Sequence, residues 1–180
     1  MRTLLLLIAL ILSPNLQAAG EYQEIGWEGL VPKGWDPSKE IRALDLGQLK
    51  DSDPRAMEAL EKMKQLWDQA PTEPDLEGRK VRLPGFVIPL ERKGEQVIEF
   101  LLVPYFGACI HTPPPPANQI IHVVTKKPVT NLHSMDTVKV SGTLSLHTAS
   151  TPWGNAGYRL TLDKLENFNP APPPEEKRRR

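Results

Sequence analysis

One short segment of the chain carries its only cysteine and two of its four histidines. Cys109 and His111 are separated by a single residue, four consecutive prolines follow, and His122 lies a few residues beyond them. Residues two apart in an extended backbone project to the same side, so the thiol of Cys109 and the imidazole of His111 can face one point. The proline run restricts the backbone and fixes the path of the chain towards His122.

A thiolate together with neutral imidazoles suits zinc, copper(I) or another soft or borderline metal ion. The pattern therefore predicts a transition-metal site made by Cys109, His111 and His122. A fourth position is open to water, to a partner's side chain, or to one of the two remaining histidines, His133 and His147. No CxxC pair and no HxxxH helix accompanies these residues, and the spacing leaves the metal open between zinc and copper.

Two other interpretations use the same residues. A free cysteine is often a small buried apolar side chain, and a lone strand histidine is often a hydrogen-bonded core or surface residue. The segment TPPPPAN would then dock a protein or a cell-envelope partner without any metal. Alternatively, Cys109 is the nucleophile or redox thiol of an enzyme, activated by His111 or His122. We favour a non-enzymatic protein because no serine elbow, phosphate loop or acidic pair accompanies the thiol.

The N-terminus predicts export. Arg2 precedes an uninterrupted apolar run from Leu4 to Leu12, and the small residues of LQAAG offer a cleavage site that makes residues 1–19 a signal peptide. The apolar run is about half of the roughly 20 residues that cross a bilayer, so it does not predict a membrane span. No cysteine follows the cleavage site for lipid attachment. We therefore expect a released periplasmic protein of a Gram-negative bacterium.

The composition excludes some classes of protein. Lysine and arginine together number 22, as do aspartate and glutamate, so the formal net charge is zero and no nucleic-acid footprint is expected. A single cysteine excludes an internal disulfide. No feature of the sequence indicates an oligomeric state.

The chain divides into an arm, one main domain and a tail. Residues 20–77 form an N-terminal arm that includes one amphipathic helix, which Asp53 caps and Pro54 begins. Its apolar stripe recurs at helical spacing and is expected to face the core; it comprises Met57, Leu60, Met63 and Trp67. Residues 169–180, NPAPPPEEKRRR, are Pro-rich and then basic, which predicts a disordered tail.

Residues 78–168 read as a β domain. Short apolar or alternating runs, separated by Gly, Pro and Asn, predict five strands. They lie at about Lys80 to Leu90, Val97 to Val103, Gln119 to Val124, Val138 to Leu146 and Tyr158 to Leu165. Five strands of this length favour a small Greek-key barrel of the OB type, with a β-sandwich as the alternative. The fold class is therefore mainly β with one N-terminal helix.

Three segments resemble an uncharacterised family of exported bacterial proteins, catalogued as domain of unknown function 3299. These segments are LPGFVIPLE, EFLLVPYFGACIHTPPPPANQIIHV and VKVSGTL. The resemblance implies a small periplasmic protein whose gene accompanies ABC-type permease components, in some bacteria within zinc-responsive clusters. The resemblance implies no particular reaction. It favours zinc at Cys109, His111 and His122, and it implies an accessory role beside an ABC-type transport system.

Overall fold

The computed structural model describes residues 21–36, 53–109 and 114–169. The predicted signal peptide, the tail from residue 170 onwards and His111 lie outside these ranges. The described elements are β1 Gln23–Glu24, α1 Pro54–Asp68, β2 Lys80–Lys93, β3 Gln96–Val103, β4 Ile121–Val129, β5 Thr137–Thr151 and β6 Gly154–Asn167. Single 3₁₀ turns lie at Trp27–Leu30, Pro74–Leu76 and Ala117–Gln119.

Strands β2 to β6 close into a barrel. The sheet order is β1-β2-β3-β4-β6-β5, and an additional pairing of β2 with β5 joins the two sides. All barrel pairs are antiparallel except β4 with β6, which run parallel. This is a five-stranded closed barrel of the predicted OB type, and the β-sandwich alternative is wrong because pairing of β2 with β5 closes the sheet.

Side-chain alternation gives the barrel wall two apolar faces. Val87 and Leu102 belong to the main core inside the barrel, whereas their neighbours Ile88 and Leu101 belong to a second cluster on the opposite face. We call this second group the outer cluster; its buried members are Ile88, Leu101, Val103, Ala108, Ile120 and Ala156. A strand wall that is apolar on both faces needs a second covering layer on its outside.

A close approach of two strands requires glycine at position 142. A Cβ atom there would lie 2.3 Å from the carbonyl oxygen of Thr161 on β6. The pairing register of β5 with β6 also shifts between Ser141 and Gly142. Such an irregularity bends the strand, as closure of a small barrel requires.

The helix begins as predicted at its cap, but its apolar stripe does not face the core throughout. The Asp53 side chain accepts a hydrogen bond from the backbone N–H of Arg55 at 2.9 Å. Met57 and Leu60 are 64% and 52% exposed, so the expectation that they face the core is wrong. The barrel supplies the physical reason: its core is filled by strand residues and by arm residues such as Leu30, without these two helix side chains.

The arm is attached to the barrel through a buried tyrosine. The Tyr158 hydroxyl donates to the carbonyl of Leu30 at 2.6 Å and accepts from the backbone N–H of Glu73 at 2.6 Å. Burial raises the pKa of Tyr158 to about 12, so this hydroxyl keeps its proton at neutral pH. The Trp27 indole N–H donates to the carbonyl of Pro84 at 2.8 Å. In the described ranges, no helix is both long and apolar enough to span a bilayer.

Candidate functional site

The two described ends of the connection from β3 to β4 pack on the outer face of the barrel. Ala108 and Ile120, near its two ends, are fully buried members of the outer cluster, and Cys109 packs against the same cluster. In sequence, the connection contains Cys109 and His111, and His122 follows it as the second residue of β4. The outer cluster therefore positions this segment against β2 and β3.

Cys109 is held in an unusual backbone conformation. Its φ angle is 65°, in the left-handed region that few residues other than glycine adopt. The thiol is free and half-buried. Burial raises its pKa to about 11, because the apolar surroundings disfavour the thiolate. The thiol is thus protonated at neutral pH, and a metal ion bound there would have to displace that proton.

His122 lies in the middle of the parallel seam of the barrel. It pairs with Leu101 of β3 on one side and with Arg159 of β6 on the other. Its imidazole Nε2 lies 2.8 Å from a carboxylate oxygen of Glu99, and its side chain is 13% exposed. The second ring nitrogen, Nδ1, is buried and has no hydrogen-bond partner in the described part of the chain.

That orphaned nitrogen is the most informative polar atom of the site. Buried polar groups are nearly always paired, so an unpaired ring nitrogen calls for a ligand or a solvent molecule. A histidine whose other nitrogen is held by a carboxylate is the usual arrangement of a metal-binding imidazole. His122 therefore offers one ring nitrogen that suits a metal ion.

The other predicted ligands have different surroundings. His133 lies on the exposed β4–β5 connection, where its Nδ1 is 3.5 Å from Asp136. His147 is exposed on β5. Within residues 21–36, 53–109 and 114–169, no group of three or more His, Cys, Asp or Glu side chains is placed to hold a metal ion. His111 is not among those residues, so the predicted set of Cys109, His111 and His122 stays a prediction.

Sequence reasoning missed one polar residue of this region, and it named Asn118 and Gln119 as residues that could orient a histidine or bind a ligand without giving their actual partners. Glu99 is the one described above; the signal was a lone acidic residue inside the apolar run VIEFLLV. Asn118, which is fully buried, donates from its amide to the carbonyl of Pro71 at 2.9 Å. Gln119 donates to the carbonyl of Trp27 at 2.8 Å. These two amides attach the end of the connection to the helix linker and to the arm.

Aromatic side chains stand exposed at the start of the connection. Tyr105 and Phe106 are 43% and 66% exposed, and the ring of Phe106 meets that of Phe86 edge to face at 5.9 Å. A small apolar cavity of about 210 Å³ lies nearby in the fold, lined by Trp27, Pro84, Gly85, Phe86, Pro104, Thr137 and Phe168. Exposed aromatic groups of this kind are typical of protein contact surfaces.

Fold and site together define an OB-type barrel protein with a partly buried histidine and carboxylate pair beside a proline-rich connection. The chain belongs to the family described as protein of unknown function DUF3299, whose model matches residues 27–167. A crystal structure of a DUF3299 family protein from Pseudomonas aeruginosa is 34% identical, with a TM-score of 0.64. The match covers 83% of this chain and 98% of that one, so the predicted family is confirmed.

One further solved structure is similar over a smaller region. It is an asparaginyl-tRNA synthetase from Pyrococcus horikoshii, 22% identical, with a TM-score of 0.34 over 58% of this chain and 23% of that one. No curated protein matches the chain.

Proposed function

We propose that this protein is an exported, non-enzymatic accessory protein that binds a transition metal ion, zinc in the first place, beside an ABC-type transport system. The observation that carries the proposal is the buried Nδ1 of His122, which has no partner in the described residues, while Glu99 holds the other ring nitrogen. Cys109 as a thiolate, with His111 and His122 as neutral imidazoles, would hold the ion.

The surroundings of Cys109 support binding over catalysis. A nucleophilic cysteine needs a lowered pKa, whereas burial raises that of Cys109 to about 11. A metal ion overcomes that barrier directly, because it bonds to the sulfur and drives the proton off. The periplasmic address and the transport partner rest on the signal-like N-terminus and on the family resemblance given above.

Metal titration of the purified mature protein tests the proposal. We expect stoichiometric zinc binding, measured by competition with a chromogenic chelator, and a loss of affinity of at least about 100-fold in Cys109→Ser, His111→Ala and His122→Ala. His133→Ala and His147→Ala are matched histidine variants at exposed positions. If either of these two variants keeps full zinc affinity, its histidine is not the fourth ligand. Absence of zinc and copper(I) binding by the parent protein would refute the proposal.

The exposed aromatic surface favours a second candidate function, a metal-free module that docks a protein partner. Phe106 is the most exposed large apolar side chain of the described residues, and it directly precedes the Gly107 to Cys109 turn. A photo-crosslinking residue at position 106 should then capture an ABC-type permease component in cells. The same probe at Met57, which is equally exposed on the helix, is the control. Equal capture at both positions would count against a specific surface.

A further inference from the structure

Glu99 is the only described side chain that contacts the ring nitrogens of His122 within hydrogen-bond distance, at 2.8 Å from Nε2. It projects from β3 on the same face as Leu101, the register partner of His122. The two side chains are thus diagonal neighbours across one strand pair, and both are partly buried, at 30% and 13% exposure. The contact is fixed by strand pairing and does not depend on a loop.

The chemistry of the pair determines where the imidazole hydrogen sits. An ionised carboxylate only accepts hydrogen bonds, so the ring must present its N–H to Glu99 from Nε2. The opposite tautomer would set the lone pair of Nε2 against the carboxylate and would also leave a buried N–H on Nδ1 without an acceptor. Orphaned donors are rarer than orphaned acceptors in folded proteins.

We propose that Glu99 is a positioning residue that holds His122 as the Nε2–H tautomer and thereby makes Nδ1 the metal-binding atom. The inference rests on the proposed function for its metal, but the tautomer itself exists without metal. Glu99 accepts the hydrogen of Nε2, as carboxylates behind metal-bound histidines do. It also fixes the ring plane, so that Nδ1 faces the buried side of the site.

Nitrogen NMR of the imidazoles tests the tautomer in the metal-free protein. Long-range proton–nitrogen spectra of the ¹⁵N-labelled full chain distinguish the two tautomers, and loss of one ring signal in His122→Ala assigns it. We expect Nε2–H in the parent protein and in Glu99→Gln, whose amide oxygen still accepts the hydrogen bond. We expect a mixture of tautomers in Glu99→Ala and in Glu99→Asp, which withdraws the acceptor by one methylene. Glu91→Ala is the control. Glu91 pairs with Glu99 across the strands, so this substitution removes a neighbouring carboxylate and leaves Glu99 in place.

Zinc addition to the same samples tests the binding atom. One equivalent should shift the Nδ1 resonance of His122, and Glu99→Ala should weaken zinc binding about 10- to 100-fold while Glu91→Ala leaves it unchanged. A parent tautomer with hydrogen on Nδ1, or an unchanged tautomer in Glu99→Ala and Glu99→Asp, would overturn the positioning role. Zinc that shifts Nε2 instead would overturn the assignment of the binding atom. Retention of the expected tautomer with no zinc binding would refute the proposed function and, with it, the metal role of Nδ1.

Discussion

Removal of one oxygen atom should measure how firmly the arm is attached to the barrel. In Tyr158→Phe the ring stays in place, but the carbonyl of Leu30 loses its donor and the N–H of Glu73 loses its acceptor. Leu30 is fully buried, so its carbonyl has no access to bulk water as a replacement. Each buried polar group left unpaired costs about 1–3 kcal/mol. Because the N–H of Glu73 is only partly buried, we expect a total loss of about 2–4 kcal/mol in the free energy of unfolding.

Urea unfolding followed by tryptophan fluorescence measures this loss, since Trp27 lies on the arm that the hydroxyl holds. Tyr22→Phe is the matched control. Its hydroxyl makes a single exposed hydrogen bond to Asp163 at 3.2 Å, so its removal should change stability by less than about 0.5 kcal/mol. A loss below about 1 kcal/mol in Tyr158→Phe, or equal losses in the two variants, would refute the reasoning.

Three further predictions follow from packing and burial. The folded pKa of Cys109 is about 11, above the ordinary value of 9.0 for this thiol. The protonated thiol therefore stabilises the metal-free protein at low pH, and that contribution is lost as pH rises from about 9 to about 11. The fall in unfolding free energy over this range should be smaller in Cys109→Ala, and identical curves would contradict the burial. Gly142→Ala should cost about 1–3 kcal/mol in chemical unfolding because its Cβ meets a backbone carbonyl, whereas Gly29→Ala, with only one atom at 4.0 Å, should change stability little; equal effects would contradict the close approach. Met57→Lys and Leu60→Lys should each change the unfolding free energy by less than about 0.5 kcal/mol, and a loss above about 2 kcal/mol would mean that the helix stripe is buried after all.

The barrel was predictable because its signal is local. Alternation along each strand and the Gly and Pro residues between them are properties of neighbouring residues, and they lead to five strands and an OB-type closure. The predicted strands were too short at several ends. β5 extends to Thr151 and β6 begins at Gly154, because the pairing of these two strands continues through a tight turn beyond the apolar residues.

The exposure of the helix stripe and the partners of the polar contacts could not be predicted from local sequence patterns. Helical spacing shows which side chains share a face, but not whether the rest of the fold leaves a surface for that face to cover. Met57 and Leu60 are exposed because the barrel completes its own core. Asn118 and Gln119 bond to backbone carbonyls 47 and 92 positions away, and any residue type can supply a carbonyl. No sequence pattern marks such a partner.

The metal set of Cys109, His111 and His122 stays a prediction from residue types and spacing. Among the described residues, Nδ1 of His122 has no hydrogen-bond partner. The contact of Glu99 with His122 could be predicted only from the strand register, because the antiparallel pairing of β3 and β4 brings the two side chains together. Register across a long connection depends on the whole barrel and not on the two strands alone.

The bond between Tyr158 and Leu30 has a consequence for the order of folding. It spans 128 positions, so this contact of the arm cannot form until nearly the entire barrel sequence is available. When the chain is made from its N-terminus, the arm is synthesised first, and its bond to Tyr158 can form only after β6 has been made. Closure of the barrel also joins distant residues, because β2 pairs with β5 from Lys80 opposite Thr143. Such distant pairings slow folding to milliseconds or seconds, and during that interval the bond between Tyr158 and Leu30 is not yet made.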